Sequence, residues 1–101
     1  MLPIRLKKAR LSAGLTQEQL GILIGIDESS ASARMNQYEK GKHVPDFSLT
    51  KKIADSLNVP VSYFYTPEDD LAEVILILNQ VDKKQRLILL KKLVEGIIKH
   101  G

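Results

Sequence analysis

Between Ser29 and Gln37 the chain places Ser29, Ser32, Ala33, Asn36 and Gln37 at intervals that bring them to one side of a helix, with Arg34 at the margin. These side chains do hydrogen-bonding chemistry, not bond-breaking chemistry. Asn and Gln carry a donor and an acceptor spaced to match an adenine edge, and Arg offers paired donors that match guanine. A polar helix face is often only a solvated one. A solvated face is usually built from Glu and Lys pairs, however, and this one is largely uncharged. Candidates for other chemistry are weak. His43 and His100 are the only histidines, and neither has a spacing partner for a metal or a nucleophile. Asp69 and Asp70 are adjacent, so on a helix their carboxylates point in different directions; they suit the positive end of a helix instead. No metal, cofactor or catalytic site is expected, and an enzyme is a distant third reading.

A face of this kind needs a helix braced by neighbours. Pro3 suits a first helical turn, where its missing N–H has no partner to lose. From it, Leu6 and Ala9 recur in a helical period with Ile4, Lys7, Lys8 and Leu11, and Gly14 offers a stop. This predicts a helix from Pro3 to about Ala13 with Arg5, Lys7 and Lys8 solvated. Thr16 with Gln19 reads as a capping box for a second helix from Gln17 to about Ile24, burying Leu20 and either Leu23 or Ile24 and ended by Gly25. Asp27–Ser30 admits two readings: Asp27 caps a third helix running from Glu28 to about Glu39, or these residues form a loop and the helix starts near Ser32. The wheel favours the first, because Ala31, Met35 and Tyr38 then share one side. Gly41 closes that helix. Asp46 caps a fourth, with Leu49, Ile53, Ala54 and Leu57 as its apolar stripe, and Asn58 and Pro60 end it. Val61–Tyr65 is a short fifth helix whose aromatics pack on the core in preference to stacking on bases. Glu68-Asp69-Asp70 opens a sixth helix running to about Gln80, and Asp82 with Gln85 opens a seventh running to about Ile98.

The bulk numbers agree with one all-helical domain. The chain has 101 residues, 44% of them hydrophobic and 27% charged, ordinary values for a globular protein. It has no cysteine, which excludes disulfides and thiolate metal sites and fits a reducing cytoplasm. The N-terminus becomes charged at once and lacks the apolar stretch of a secretory signal. The longest apolar run, Val74 to Leu78, is far too short to span a bilayer. Residues 1–66 carry nine Lys/Arg against six Asp/Glu, the whole of the +3 net charge, while residues 67–101 carry six of each. That placement permits a polyanionic partner in the first part.

Several separated blocks form a familiar pattern: Gly14-Leu15-Thr16-Gln17-Glu18-Gln19-Leu20, Ile24-Gly25-Ile26, Tyr38-Glu39-Lys40-Gly41-Lys42, Pro45, and Ile53 through Pro60. Together they resemble the phage repressor/Cro-like (Xre-type) helix-turn-helix family over roughly Ile4 to Tyr65. The resemblance implies a recognition helix docked in the major groove, a geometry that belongs to that family as a known example. It implies base-facing roles for Ser32, Ala33 and Gln37, with Asn36 beside them. Gln17, Lys40, Lys42 and His43 match phosphate-contacting positions, and Arg10 and Glu39 match an internal ion pair. The chain departs from the family in having about four additional residues, Asp27 to Ser30. These are expected to add one turn at the start of the recognition helix and to bring Ser29 and Ser30 near the groove.

The last two predicted helices have apolar residues on more than one face. Leu71, Val74, Ile75 and Leu78 form one stripe, with Leu76 and Ile77 outside it; Leu87, Leu90, Val94 and Ile97 form another, with Ile88 and Leu89 elsewhere. So much apolar surface marks an interface, and Leu76, Ile77, Ile88 and Leu89 are the expected dimerisation residues. The sequence thus predicts an all-α protein, a five-helix Cro/repressor-like helix-turn-helix domain over residues 1–66 with a two-helix dimerisation extension over residues 67–101. The expected partners are double-stranded DNA and a second copy, with no membrane. The expected activity is cytoplasmic, sequence-specific transcription regulation, as a repressor on a pseudo-palindromic operator. The alternative is an antitoxin or other interaction module whose C-terminal helices bind a partner protein.

Overall fold

Most helices begin where a short polar side chain can occupy an orphan N–H, and stop where the backbone can turn left-handed. In the computed structural model, which describes residues 1–100 with side chains through Lys99, the order is α1 (Pro3–Ser12), α2 (Gln17–Leu23), α3 (Glu28–Glu39), α4 (Phe47–Leu57), a 3₁₀ turn (Val61–Tyr65), α5 (Asp69–Asn79) and α6 (Lys83–His100). The side chain of His100 and all of Gly101 lie outside the described residues, and with them the expectation made for His100. No strand occurs among the described residues.

The Thr16 hydroxyl accepts from Gln19 N–H at 3.0 Å, and the Gln19 side chain accepts from Thr16 N–H at 2.9 Å, completing the capping box of α2. Asp46 caps α4 through Leu49 N–H at 2.8 Å, and Asp82 caps α6 through Gln85 N–H at 2.9 Å. Asp27 caps α3 through Ser29 N–H at 3.2 Å. The first of the two readings of Asp27–Ser30 is therefore the observed one: helix, not loop. Gly14, Gly25 and Gly41 follow three of these helices with positive φ, and Asn58 ends α4 in the left-handed region at φ 54°. The expected fifth helix is the 3₁₀ turn, too short to make an α-helical ladder.

Leu6, Leu20, Met35, Ile53, Tyr63 and Phe64 are the large side chains at the centre of the core. Tyr63 and Phe64 meet edge to face, ring centroids 5.6 Å apart, the arrangement their quadrupoles prefer. The core does not stop with the 3₁₀ turn. Ala72 belongs to it, and Ile75 and Leu76 pack against it from α5.

Three expectations about faces are corrected, and one open choice is resolved. Arg5 is buried, because its guanidinium has partners waiting in the linker before α5; Lys7 and Lys8 are exposed as expected. Ile24 is buried and Leu23 exposed, which resolves the choice at the end of α2. On α5 the inward face is Ala72, Ile75 and Leu76, so Leu71 and Val74 point to solvent. Leu76, assigned above to dimerisation, is consequently half-buried on its own chain's core, while Ile77, Ile88 and Leu89 are exposed.

α6 has little to pack on within its own chain. Leu87, Leu90, Leu93, Val94, Ile97 and Ile98 are all 45–77% exposed. The molecule is accordingly elongated, 57 × 24 × 23 Å, with the C-terminal helix projecting from the body.

Candidate nucleic-acid interface

The pair α2 and α3 is locked together at one point by a missing side chain. A Cβ on Gly21 would lie 2.7 Å from Ala31 Cβ and 3.0 Å from both its Cα and its carbonyl oxygen. Only glycine allows the two backbones to approach so closely. With Ala31, Met35 and Tyr38 turned inward, α3 must present its opposite side outward. Ser29, Ser32, Ala33 and Arg34 are exposed there, and Asn36 and Gln37 are half-buried.

The candidate base-facing residues are not equally free. Ser32 and Ala33 stand open. The Ser29 hydroxyl is bound to the Asp27 carboxylate as part of the helix cap, so it contributes to starting the helix and its donor is already used. Arg34 donates from Nη2 to the Tyr38 hydroxyl at 3.1 Å, which holds its guanidinium near the side of α3 where the following loop begins. Asn36 accepts from the Gln17 amide at 3.3 Å, leaving its own NH₂ donors unused. Gln37 lines a groove of about 420 Å³ together with Arg34, Tyr38, His43 and Val44. On the other flank of α3 a shallow hollow is lined by Arg10, Thr16, Gln17, Glu18, Gln19 and Ser32.

Behind this face lies a charged network. Arg10 donates from Nε to Glu39 Oε2 at 2.6 Å and from Nη2 to Oε1 at 3.0 Å, and its Nη1 donates to the Leu15 carbonyl at 2.8 Å. Both side chains are at least nine-tenths buried, and hydrogen bonding to Glu39 raises the Arg10 pKa above its ordinary value, outweighing burial. The Gln17 amide donates to Glu39 Oε1 at 3.3 Å as well as to Asn36. Its NH₂ group must face inward, since only a nitrogen can donate to a carboxylate. The Gln17 side chain thereby braces the two helices from behind the outer face. Lys40, Lys42 and His43 are exposed on the loop that follows α3. Among the described residues, no group of three or more His, Cys, Asp or Glu could hold a metal ion, and no helix is long and apolar enough to cross a membrane.

Two helices interlocked at a turn, the second presenting a polar uncharged face beside a basic loop, define a helix-turn-helix protein. The family model described as Helix-turn-helix (HTH_3) matches residues 6–64, and the chain belongs to that family, of Cro/C1 type. Over its full length it is similar to a solved structure titled "Crystal structure of transcriptional regulator BswR", at 44% identity and a TM-score of 0.94, covering all of both chains. It is also 36% identical over 61 residues to an uncharacterized HTH-type transcriptional regulator of Sinorhizobium medicae (strain WSM419), and equally to the regulator R00410 of Rhizobium meliloti (strain 1021). The match takes in 60% of this chain and 41% of each of those two relatives, so the chain spans less than half their length.

Sequence reasoning missed three features. Gly21 sits inside a helix, where a glycine costs stability, and that cost was the available signal. The tie between Gln17, Asn36 and Glu39 needs the packed pair to be seen. Arg5 gave no signal: a basic residue on an amphipathic helix reads as solvated until its distant partners are known.

Proposed function

We propose that this protein binds double-stranded DNA sequence-specifically, as a homodimer on a pseudo-palindromic operator, and represses transcription from the cytoplasm by occupying it. The observation that carries the reading is the outer face of α3, where exposed Ser32 and Ala33 lie beside Asn36 and Gln37. A side chain there can enter the major groove without desolvating a charge. Lys40, Lys42 and His43 beside it are the proposed phosphate contacts, with the first turn of α2 at Gln17. Ser32, Ala33, Asn36 and Gln37 are the proposed base contacts, and Arg34 borders them.

The homodimer rests on the exposed apolar residues of α5 and α6, Leu71, Val74 and Ile77 with Leu87, Leu90, Val94 and Ile97. These extend the expected set Leu76, Ile77, Ile88 and Leu89, of which Leu76 is half-buried on its own core. The same surface is what an antitoxin would offer a toxin; a different chain that co-purifies at a fixed ratio would favour that reading.

Selection of bound duplexes from a randomised pool, with sedimentation of the free protein, tests the proposal. An inverted repeat with half-sites about 34–36 Å apart, or a multiple, is expected from a dimer. Gln37→Ala should relax discrimination at one base pair per half-site by about 1–3 kcal/mol. A pool that yields no enriched sequence, or a Gln37→Ala protein with unchanged site preference, would sink the assignment.

A further inference from the structure

We infer that Arg5 is a positioning residue for DNA recognition: by clamping the linker before α5 to the DNA-binding body, it fixes the half-site spacing that the protein accepts. The inference rests on the homodimer reading above. Arg5 leaves α1 on the inner side and is 3% exposed. Its Nε donates to the Thr66 carbonyl at 3.1 Å and its Nη2 to the Pro67 carbonyl at 3.0 Å, residues 61 and 62 positions further along the chain. The same Nη2 meets the Asp69 carboxylate at 2.9 Å, at the first residue of α5, and the guanidinium carbon lies 5.8 Å from the centre of the Tyr63 ring.

The linker is where a joint would otherwise swing. Pro67 cannot donate a backbone hydrogen bond, and its presence keeps Thr66 out of helical conformation. The carbonyls of both residues also precede that of Glu68, the first to accept from α5 (Ala72 N–H, 2.9 Å), so they need a donor from elsewhere. A planar guanidinium can supply both and reach a carboxylate in one rigid fork. As a source of stability the arrangement is poor, because a buried charge is costly and Asp69 is 93% exposed. Its effect is to remove freedom from the link. At the far end of α5, Asn79 donates to the Asn58 carbonyl at 3.2 Å, and between the two ends Ala72, Ile75 and Leu76 pack on the core. α5 is therefore held at both ends, and the part of the proposed dimer surface that it carries, Leu71, Val74 and Ile77, stands at one angle to α3.

One base pair added between half-sites turns one of them by about 34° and moves it about 3.4 Å, a change a stiff joint cannot follow. The test uses duplexes selected by the wild-type chain, with the spacer lengthened or shortened by one and two base pairs. Wild type should lose about tenfold in affinity for one base pair of change, and Arg5→Gln less than about threefold, because a looser link spreads effective concentration over more geometries. Affinity for a duplex carrying a single half-site should stay within about twofold, and the variant should sediment as wild type does. Loss of single-site binding would show Arg5 to be merely structural, and an unchanged tenfold step in Arg5→Gln would overturn the inference alone. If Arg5→Gln does not fold by circular dichroism, Arg5→Lys takes its place: it keeps the charge but cannot hold two carbonyls and a carboxylate in one plane. A wild-type monomer at tens of micromolar would overturn the dimer reading, and this inference with it.

Discussion

Glu39 joins the structure of the body to its candidate DNA face. One carboxylate takes two hydrogen bonds from Arg10 and one from Gln17. Replacing it with Ala strands a buried guanidinium, and urea denaturation of Glu39→Ala should show a loss of about 3–5 kcal/mol. An unchanged midpoint would mean the pair contributes nothing net. Tyr63 presents the opposite case. Its hydroxyl is buried with no hydrogen-bond partner. Burial pushes its pKa up, with Glu73 and Asp69 adding to the shift and Arg5 opposing it. The folded chain then keeps a proton that the unfolded chain sheds near pH 10, so the contribution of the neutral phenol is complete below that pH and is lost as pH rises through the folded value. Tyr63→Phe should be at least as stable at pH 7, since an unpaired buried hydroxyl costs about 1–3 kcal/mol, and its stability should fall less steeply above pH 10. Thermal melts at pH 7 and pH 11 check both statements; a Tyr63→Phe protein markedly weaker at pH 7 would show that the hydroxyl has a partner after all.

At the scale of elements, α2 and α3 depend on Gly21. Alanine would favour the isolated helix by about 1 kcal/mol. The obstructing atoms are Ala31's backbone and its Cβ, which cannot rotate aside, so Gly21→Ala should lower stability by about 1–3 kcal/mol net. A higher melting temperature would instead mean that the two helices can separate at no cost. The contrast explains what could be read from the chain alone. Capping residues and terminal glycines act within a few positions, so Thr16, Asp46, Asp82, Gly14, Gly25 and Gly41 marked the helix ends directly, while Asp27 left two readings open. The inner face of α3 was legible because its apolar residues are few. The face of α5 was not: five apolar residues in a row from Val74 to Leu78 surround the helix and point nowhere, and only packing on the core chose Ala72, Ile75 and Leu76. Arg5 was read as solvated for a related reason: charge predicts exposure only while no partner is in reach, and its partners are the Thr66 and Pro67 carbonyls far along the chain.

At the scale of the molecule, the excess positive charge lies in the body, and the projecting helix carries the densest run of exposed apolar side chains, from Leu87 to Ile98. The first suits a polyanion, the second a protein. α6 is about 27 Å long at 1.5 Å per residue, and its apolar arc, from Leu89 and Leu93 through Leu90, Val94 and Leu87, covers about half its circumference at 100° per residue. One facing helix would leave part of that arc wet; two or more would cover it.

An 18-residue helix that buries almost nothing in its own chain is marginal by itself in water. Its order should then depend on how much protein is present. Far-ultraviolet circular dichroism should lose mean helicity on dilution from tens of micromolar to tens of nanomolar, while the signal of the body stays; a concentration-independent spectrum would show α6 to be self-sufficient. The consequence reaches the gene level. In the proposed dimer, folding of α6, pairing of two chains and occupancy of a two-half-site operator would form one linked equilibrium. Occupancy would then climb with about the square of chain abundance at low levels, so a modest change in expression would act as a sharp threshold.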